Sequence, residues 1–164
     1  MGGTSREIIL VIDVRADRIG YAIFDRPDHL IDYGTSRFRA GETGRARLEF
    51  LFTTFDPSLL VMRRLRVRST RKGRTWTMHH TAVVAQAKRQ NLPIAYVAER
   101  ILRNSFAEFN CRNKFQVAAL LGTWFPEIAA HVPRQRKCYE PEPWGMAYFD
   151  AIALGVVYVS SVRE

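Results

Sequence analysis

Residues Glu7–Asp25, EIILVIDVRADRIGYAIFD, decide how the rest of the chain is read. Ile8, Ile9, Leu10, Val11 and Ile12 form an unbroken apolar run that ends on Asp13. A run without alternation indicates a central strand buried on both faces. A turn through Arg15, Ala16 and Asp17 leads into a second run carried by Ile19, Tyr21 and Ile23, so the two strands are neighbours with a tight connection. Asp13 stands where a buried strand ends. Its carboxylate loses hydration there and requires a cationic side chain, backbone amides or a metal ion in return. An Asp that simply caps the turn is the plainer alternative.

Working outward, Arg26-Pro27-Asp28 is turn chemistry and His29–Phe38 suits a third strand, completing an antiparallel meander. Leu48, Leu51, Phe52 and Phe55 recur at the spacing of one buried helix face over 44–55, and Asp56-Pro57 ends that helix. Ser58–Leu65 reads as a fourth strand. The alternation of Arg64, Arg66 and Arg68 with Leu65 and Val67 predicts that it runs on with arginines along one side. A basic, Gly-containing loop follows over 69–75, then a helix over 76–90, a fifth strand over 92–98 and a short helix over 99–109. A further helix is predicted over 112–125. Residues 126–143 hold four prolines together with Arg134, Arg136 and Lys137, and read as loop. The last helix, 144–162, is small and apolar throughout and therefore buried. No repeat, low-complexity tract or linker interrupts the 164 residues, which suit a single domain over 1–164. The order predicts an α/β fold: a five-stranded mixed sheet, three antiparallel strands then two parallel, with helices on both faces. In such sheets, sites gather at the carboxyl ends of central strands.

The charge is concentrated. Lysine and arginine number 25 against 16 aspartates and glutamates, a formal net of +9. Between Pro57 and Ala98 there is no acidic residue, while nine basic ones lie there: Arg63, Arg64, Arg66, Arg68, Arg71, Lys72, Arg74, Lys88 and Arg89. The remainder is balanced, so one segment supplies the whole excess. Such a patch favours a polyanion: DNA, RNA or an anionic membrane surface; in the nucleic-acid reading Arg63–Arg74 contact the phosphates. A solvated basic loop, or docking on an acidic protein, are the alternatives. No apolar run reaches the roughly 18 residues of a membrane span, so no membrane role is expected. MGGTSREIIL lacks the pattern of a signal peptide, and Cys111 and Cys138 are too few for a disulfide framework. The expectation is a cytoplasmic protein with reduced thiols.

Asp150, in MAYFDAIAL, lies early in the apolar last helix and needs a partner there. An arginine or helix amides would satisfy it structurally. Alternatively, Asp13 and Asp150 share a divalent cation, and carboxylates suit Mg²⁺ or Mn²⁺.

Taken together, these stretches resemble the RuvC-like branch of the ribonuclease H fold, which contains Holliday-junction resolvases and YqgF-type nucleases. Asp13 followed by Gly20-Tyr21 resembles the first-strand signature Asp-x-Gly-x-x-x-x-Gly-Tyr, with Arg15 in place of the inner Gly. Lys114-Phe115-Gln116-Val117 resembles Lys-x-Gln-Val, and Asp150-Ala151-Ile152-Ala153 resembles Asp-Ala-x-Ala. The resemblance implies a ribonuclease H-like fold, a branched or structured nucleic acid as partner, a homodimer, and phosphodiester hydrolysis with Mg²⁺ or Mn²⁺ where the site is intact. It makes Asp13 and Asp150 metal ligands and catalytic residues, and puts Lys114 and Arg103 near the scissile phosphate.

Two departures bear on activity. The strand-four Glu of catalytic members falls on Arg63, and the acidic residue one turn before the final Asp falls on Ala147. A guanidinium stays charged at any relevant pH and repels a metal. The reading is therefore a nucleic-acid-binding protein with an incomplete acidic site. An active Mg²⁺- or Mn²⁺-dependent endonuclease, with Glu99 or Asp17 supplying a further carboxylate, is the alternative. His79-His80 and Trp76 are weaker candidates for phosphate contact and base stacking, since neighbouring helical residues face apart and Trp76 also suits the core.

Overall fold

The computed structural model describes residues 6–39, 41–65 and 70–162. The chain runs β1 (Ile9–Val14), β2 (Arg18–Arg26), β3 (His29–Arg37), α1 (Glu42–Phe55), β4 (Leu59–Arg63), α2 (Arg71–Arg89), β5 (Ile94–Val97), α3 (Glu99–Ala107) and α4 (Lys114–Trp124). A 3₁₀ turn (Pro126–His131) and α5 (Met146–Val162) complete it. The five strands form one sheet in the order β3-β2-β1-β4-β5. β1, β2 and β3 pair antiparallel, and β4 and β5 lie parallel to β1. This is the mixed sheet expected from the sequence, with β1 at its centre.

Alternation along β1 divides the core. Leu10, Ile12 and Val14 pack with Leu48, Leu51 and Phe52 of α1 and Val83 and Ala87 of α2 on one face. Val11 packs on the other face with α4 and α5. Side chains two apart share a face, so Asp13 follows Val11 and looks towards α5. Val61 of β4 belongs to the α5 face too, and the same parity carries Arg63 there. Ile12 lies opposite Met62 in the parallel β1–β4 pair, so Asp13 and Arg63 emerge side by side at the carboxyl end.

α5 crosses the centre of the sheet, apolar on all sides, with Phe149, Ile152 and Leu154 fully enclosed. Each such side chain contributes roughly 1.5–3 kcal/mol of burial. Two glycines let it lie close. A Cβ on Gly20 would sit 2.0 Å from the carbonyl oxygen of Ala147, and one on Gly155 would sit 2.4 Å from the Phe24 ring. Gly20 pairs with Asp13 across β1–β2. The glycine of the first-strand signature therefore seats the helix that carries Asp150 directly beside Asp13.

Several boundaries differ from the sequence reading. β4 stops at Arg63 instead of running on with alternating arginines. The Arg64 amide still donates to the Val97 carbonyl at 2.9 Å, but β5 ends there, so the strand has no further partner. Arg66 and Arg68 lie outside the described residues. The basic loop is largely helix: Thr70 caps α2, its hydroxyl accepting from the Gly73 amide at 3.0 Å. Arg71, Lys72 and Arg74 thus occupy the first turn of α2.

Candidate functional site: a carboxylate cluster filled by guanidinium groups

The carboxyl ends of β1, β4 and β5 point the same way and deliver Asp13, Arg63 and, at the start of α3, Glu99. α5 supplies Asp150, the first residue of α4 supplies Lys114, the turn after β1 supplies Arg15, and the loop before α5 supplies Glu142. All seven line one cavity of about 750 Å³.

Local structure explains each placement. Arg15 is held by its backbone: its amide donates to the Arg18 carbonyl at 2.9 Å, and its carbonyl accepts from Nδ1 of buried His79 at 3.1 Å. Lys114 is aimed by a reciprocal cap. The Asn113 side chain accepts from the Gln116 amide at 3.0 Å, while Gln116 Oε1 accepts from the Arg112 amide at 2.6 Å. The glutamine of the Lys-x-Gln-Val stretch is therefore a capping residue, a variant of the capping box.

The carboxylates are paired with cations from end to end. Asp13 is only 2% exposed. Its Oδ1 lies 3.2 Å from Arg63 Nε and its Oδ2 lies 3.5 Å from an Arg15 terminal nitrogen. Arg63 also donates to Glu99 Oε2 at 2.7 Å. Arg15 donates to Asp150 and, at 2.5 Å, to Glu142 Oε2. Glu142 takes a further bond from Arg18 at 3.0 Å and one from Lys114. The need that the sequence assigned to Asp13 is thus met by arginine.

Titration follows this arrangement. The Asp13 carboxylate raises the Arg63 pKa above its ordinary value, burial opposes this, and Asp150 and Glu99 reinforce it. Burial pushes the Asp150 carboxyl upward, as does Asp13, against Arg15, Arg63 and Lys114. Burial lowers Lys114, with Asp150 opposing and Arg15, Arg136 and Arg63 adding to the effect.

The donor set does not fit a divalent metal. Four carboxylates, Asp13, Glu99, Glu142 and Asp150, form the cluster, two more than the sequence reading counted, with Asp17 a fifth on the cavity lining, but each faces a guanidinium or ammonium. Among the described residues, no three His, Cys, Asp or Glu side chains are grouped so as to hold an ion. Seven basic side chains line the cavity against five acidic ones, an excess of two positive charges. Such a lining repels a dication and attracts an anion. Arg15 and Arg18 each keep a buried Nε–H without an aligned acceptor, and that of Arg63 meets Asp13 only as an ion pair.

The sequence-predicted residues separate accordingly. Asp13, Asp150, Lys114 and Arg63 are brought together. Arg103 lines the cavity but stays at its rim, 76% exposed and 3.5 Å from Glu99. Lys72 and partly buried Trp76 also border the cavity. Arg64, Arg71 and Arg74 are exposed. Asp17 pairs with Arg18 and adds no carboxylate to Asp13. His80 stacks on Tyr96 and Cys111 is a free thiol whose pKa burial raises, so neither forms a second centre. The residues missed were Arg18 and Glu142, and Arg15 was noted only as a departure. A carboxylate locked between Pro141 and Pro143 eight residues before Asp150 was the available signal.

No model of a known protein family matches the chain, and no curated protein matches it in sequence. Solved structures do. Thermus thermophilus RuvC in complex with Holliday junction substrate superposes with a TM-score of 0.69 at 12% identity, over 96% of this chain and 95% of that one. A second Thermus thermophilus RuvC structure gives 0.67 at 14% identity, over 95% of each chain. The fowlpox virus Holliday junction resolvase gives 0.58 at 14%, over 94% of this chain and 99% of that one. The near-complete coverage and the strand order establish that this chain has the RuvC-like ribonuclease H fold.

Proposed function

We propose that this protein binds branched or structured nucleic acid through the phosphate backbone, and that arginines have taken over its acidic centre, so that ordinary two-metal hydrolysis does not run there. One observation carries the reading: Arg63 and Arg15 lie inside the carboxylate cluster, each bridging two or more acids. A phosphate entering the cavity meets Lys72, Arg103 and Arg112 at the mouth. Arg71 and Lys72 are exposed in the first turn of α2, where the helix N-terminus adds its partial positive charge and no acidic residue offsets it, an arrangement suited to anions. The Nε–H groups of Arg15 and Arg18, which have no aligned acceptor, give an oxygen something to accept from. Support for a branched substrate comes from the fold neighbours: Thermus thermophilus RuvC was solved with Holliday junction substrate and the fowlpox virus resolvase with Holliday junction DNA. The reading includes a homodimer in the cytoplasm, the first checked by mass in solution.

The active-endonuclease reading has one observation in its favour: Asp13, Glu99, Glu142 and Asp150 all line the cavity. It requires Arg15 and Arg63 to leave, breaking every pair just described.

The test uses labelled four-way junction and duplex of matched sequence, with EDTA, Mg²⁺ or Mn²⁺. The expected result is tight junction binding in EDTA, weakening steeply with salt at a log–log slope of about −0.9 per neutralised phosphate, and no strand scission. Metal-dependent cutting abolished by Asp13→Asn overturns the proposal in favour of an active nuclease. Absence of salt-sensitive binding overturns it altogether.

A further inference from the structure

Apart from Glu142, the loop before α5, 134–144 (RQRKCYEPEPW), takes no part in the sheet or in the carboxylate cluster. It interleaves Arg134, Arg136 and Lys137 with Tyr139 and Trp144. Tyr139 is 75% exposed and Trp144 43%. Aromatic rings left this open forgo burial that each could otherwise gain.

The loop is nonetheless held in shape. The Glu140 amide donates to the Lys137 carbonyl at 3.0 Å, closing a turn with Tyr139 at its tip. The Lys137 amide donates to Glu140 Oε2 at 3.0 Å, and Arg136 donates to the Glu140 carbonyl at 2.7 Å. Between two prolines with fixed φ, Glu142 ties the loop to Arg15, Arg18 and Lys114. Trp144 is thus anchored two residues from the cavity wall.

Each ring has a cation beside it. The Lys137 ammonium lies 5.8 Å from the Tyr139 centroid, and the Arg18 and Arg37 guanidinium carbons lie 5.0 and 5.8 Å from the Trp144 centroid. Arg18 and Arg37 also face each other directly across β2–β3. Like charges in that position destabilise a sheet. Arg18 is offset by Asp17 and Glu142, but among the described residues Arg37 has no carboxylate at ion-pair distance. An uncompensated guanidinium beside an exposed indole suits a base stacked on the ring with its phosphate on the arginine.

We infer that the 134–144 loop is a stacking platform for unpaired bases, with Trp144 as its main ring and Tyr139 as a second, set at the rim of the phosphate-binding cavity. The inference rests on the nucleic-acid reading above and adds to it the class of nucleotide that the protein prefers next to a duplex.

The experiment measures affinity by fluorescence anisotropy for a blunt duplex and for the same duplex with an unpaired tail, in EDTA. The parent should prefer the tailed DNA. Trp144→Ala should lose about ten-fold on the tailed DNA, the worth of roughly one stacked base, with blunt-duplex affinity and salt slope unchanged. Trp144→Phe should retain most of the preference, and Tyr139→Ala, at the far tip, should lose a smaller part of it. Equal affinity of all four proteins for the tailed DNA overturns the platform. An equal loss on both DNAs overturns it too, because it marks a structural or purely electrostatic role. If the parent binds neither DNA, the nucleic-acid reading fails, and this inference with it.

Discussion

Two buried aspartates close opposite ends of the same antiparallel strand pair, and they are satisfied in opposite ways. Asp25, 8% exposed near the end of β2, is met locally. His29 across the hairpin contacts it at 2.5 Å and Arg6 at 2.9 Å, and both partners reach in from solvent with side chains 47% and 74% exposed. Among the described residues, neither partner is engaged by a second acid. Asp13, at the end of β1, is met by Arg15 and by Arg63 of a different strand, both only 18% exposed. Each of those arginines is bound in turn to other carboxylates. Asp25 is a hairpin lock with screened partners. Asp13 belongs to a desolvated network in which no charge can leave without stranding another. A structural carboxylate does not need partners that it shares with three other acids.

The largest effect that separates the two should come from Arg63→Ala. It leaves Asp13 and Glu99 short of a cation in low dielectric, which costs about 3–5 kcal/mol; urea unfolding measures it. Asp13→Asn combined with Arg63→Met should recover most of the loss, since removing both charges is far cheaper than removing one. A cost below about 1 kcal/mol for Arg63→Ala would make the Asp13 network no different from a surface pair.

Next is Gly20→Ala, which drives a methyl group into the Ala147 carbonyl and lifts α5 at the point where Asp150 meets Asp13. Overpacking of this kind costs about 1–3 kcal/mol. The same change should weaken phosphate-dependent binding, whereas Gly34→Ala, which faces the flexible end of Tyr21, should be milder on both. Thermal unfolding and junction titration read the two effects.

The smallest effect is at Asp25 and depends on pH. Burial acts to raise this carboxyl, but the His29 hydrogen bond and charge, with Arg6 and Arg26, outweigh it and hold it below the ordinary carboxylate value. A carboxyl lowered on folding contributes stability above its unfolded value of about 3.9. That contribution is lost as the pH falls through the folded value. Asp25→Asn should therefore lower stability near neutrality and flatten the decline below about pH 4. An unchanged acid limb would show that Asp25 contributes nothing through its charge.

The sequence made much of the fold legible because the sheet is written in apolar runs. β1, β4 and α5 are nearly continuous hydrophobic stretches, and strand parity alone carries Asp13 and Arg63 to the α5 face. The absence of any acid between Pro57 and Ala98 made the strand-four substitution certain in any register. What stayed hidden came from irregular backbone. Arg15 and Glu142 sit in a turn and a loop, where no period indicates which way a side chain points. The start of α2 was read as loop because its first turn is crowded with cations and a glycine, and the cap at Thr70 outweighs that composition. The extra length given to β4 followed an alternation that has no partner strand to pair with.

The central claim, that guanidinium groups and not a metal ion fill the carboxylate cluster, is tested most directly by a crystal of this protein soaked in Mn²⁺ with anomalous data collected. The account predicts no manganese peak between Asp13 and Asp150, with the Arg15 and Arg63 guanidinium groups in that space. A manganese ion bound by both aspartates, with Arg63 turned to solvent and Glu99 or Glu142 closing the coordination, would contradict it.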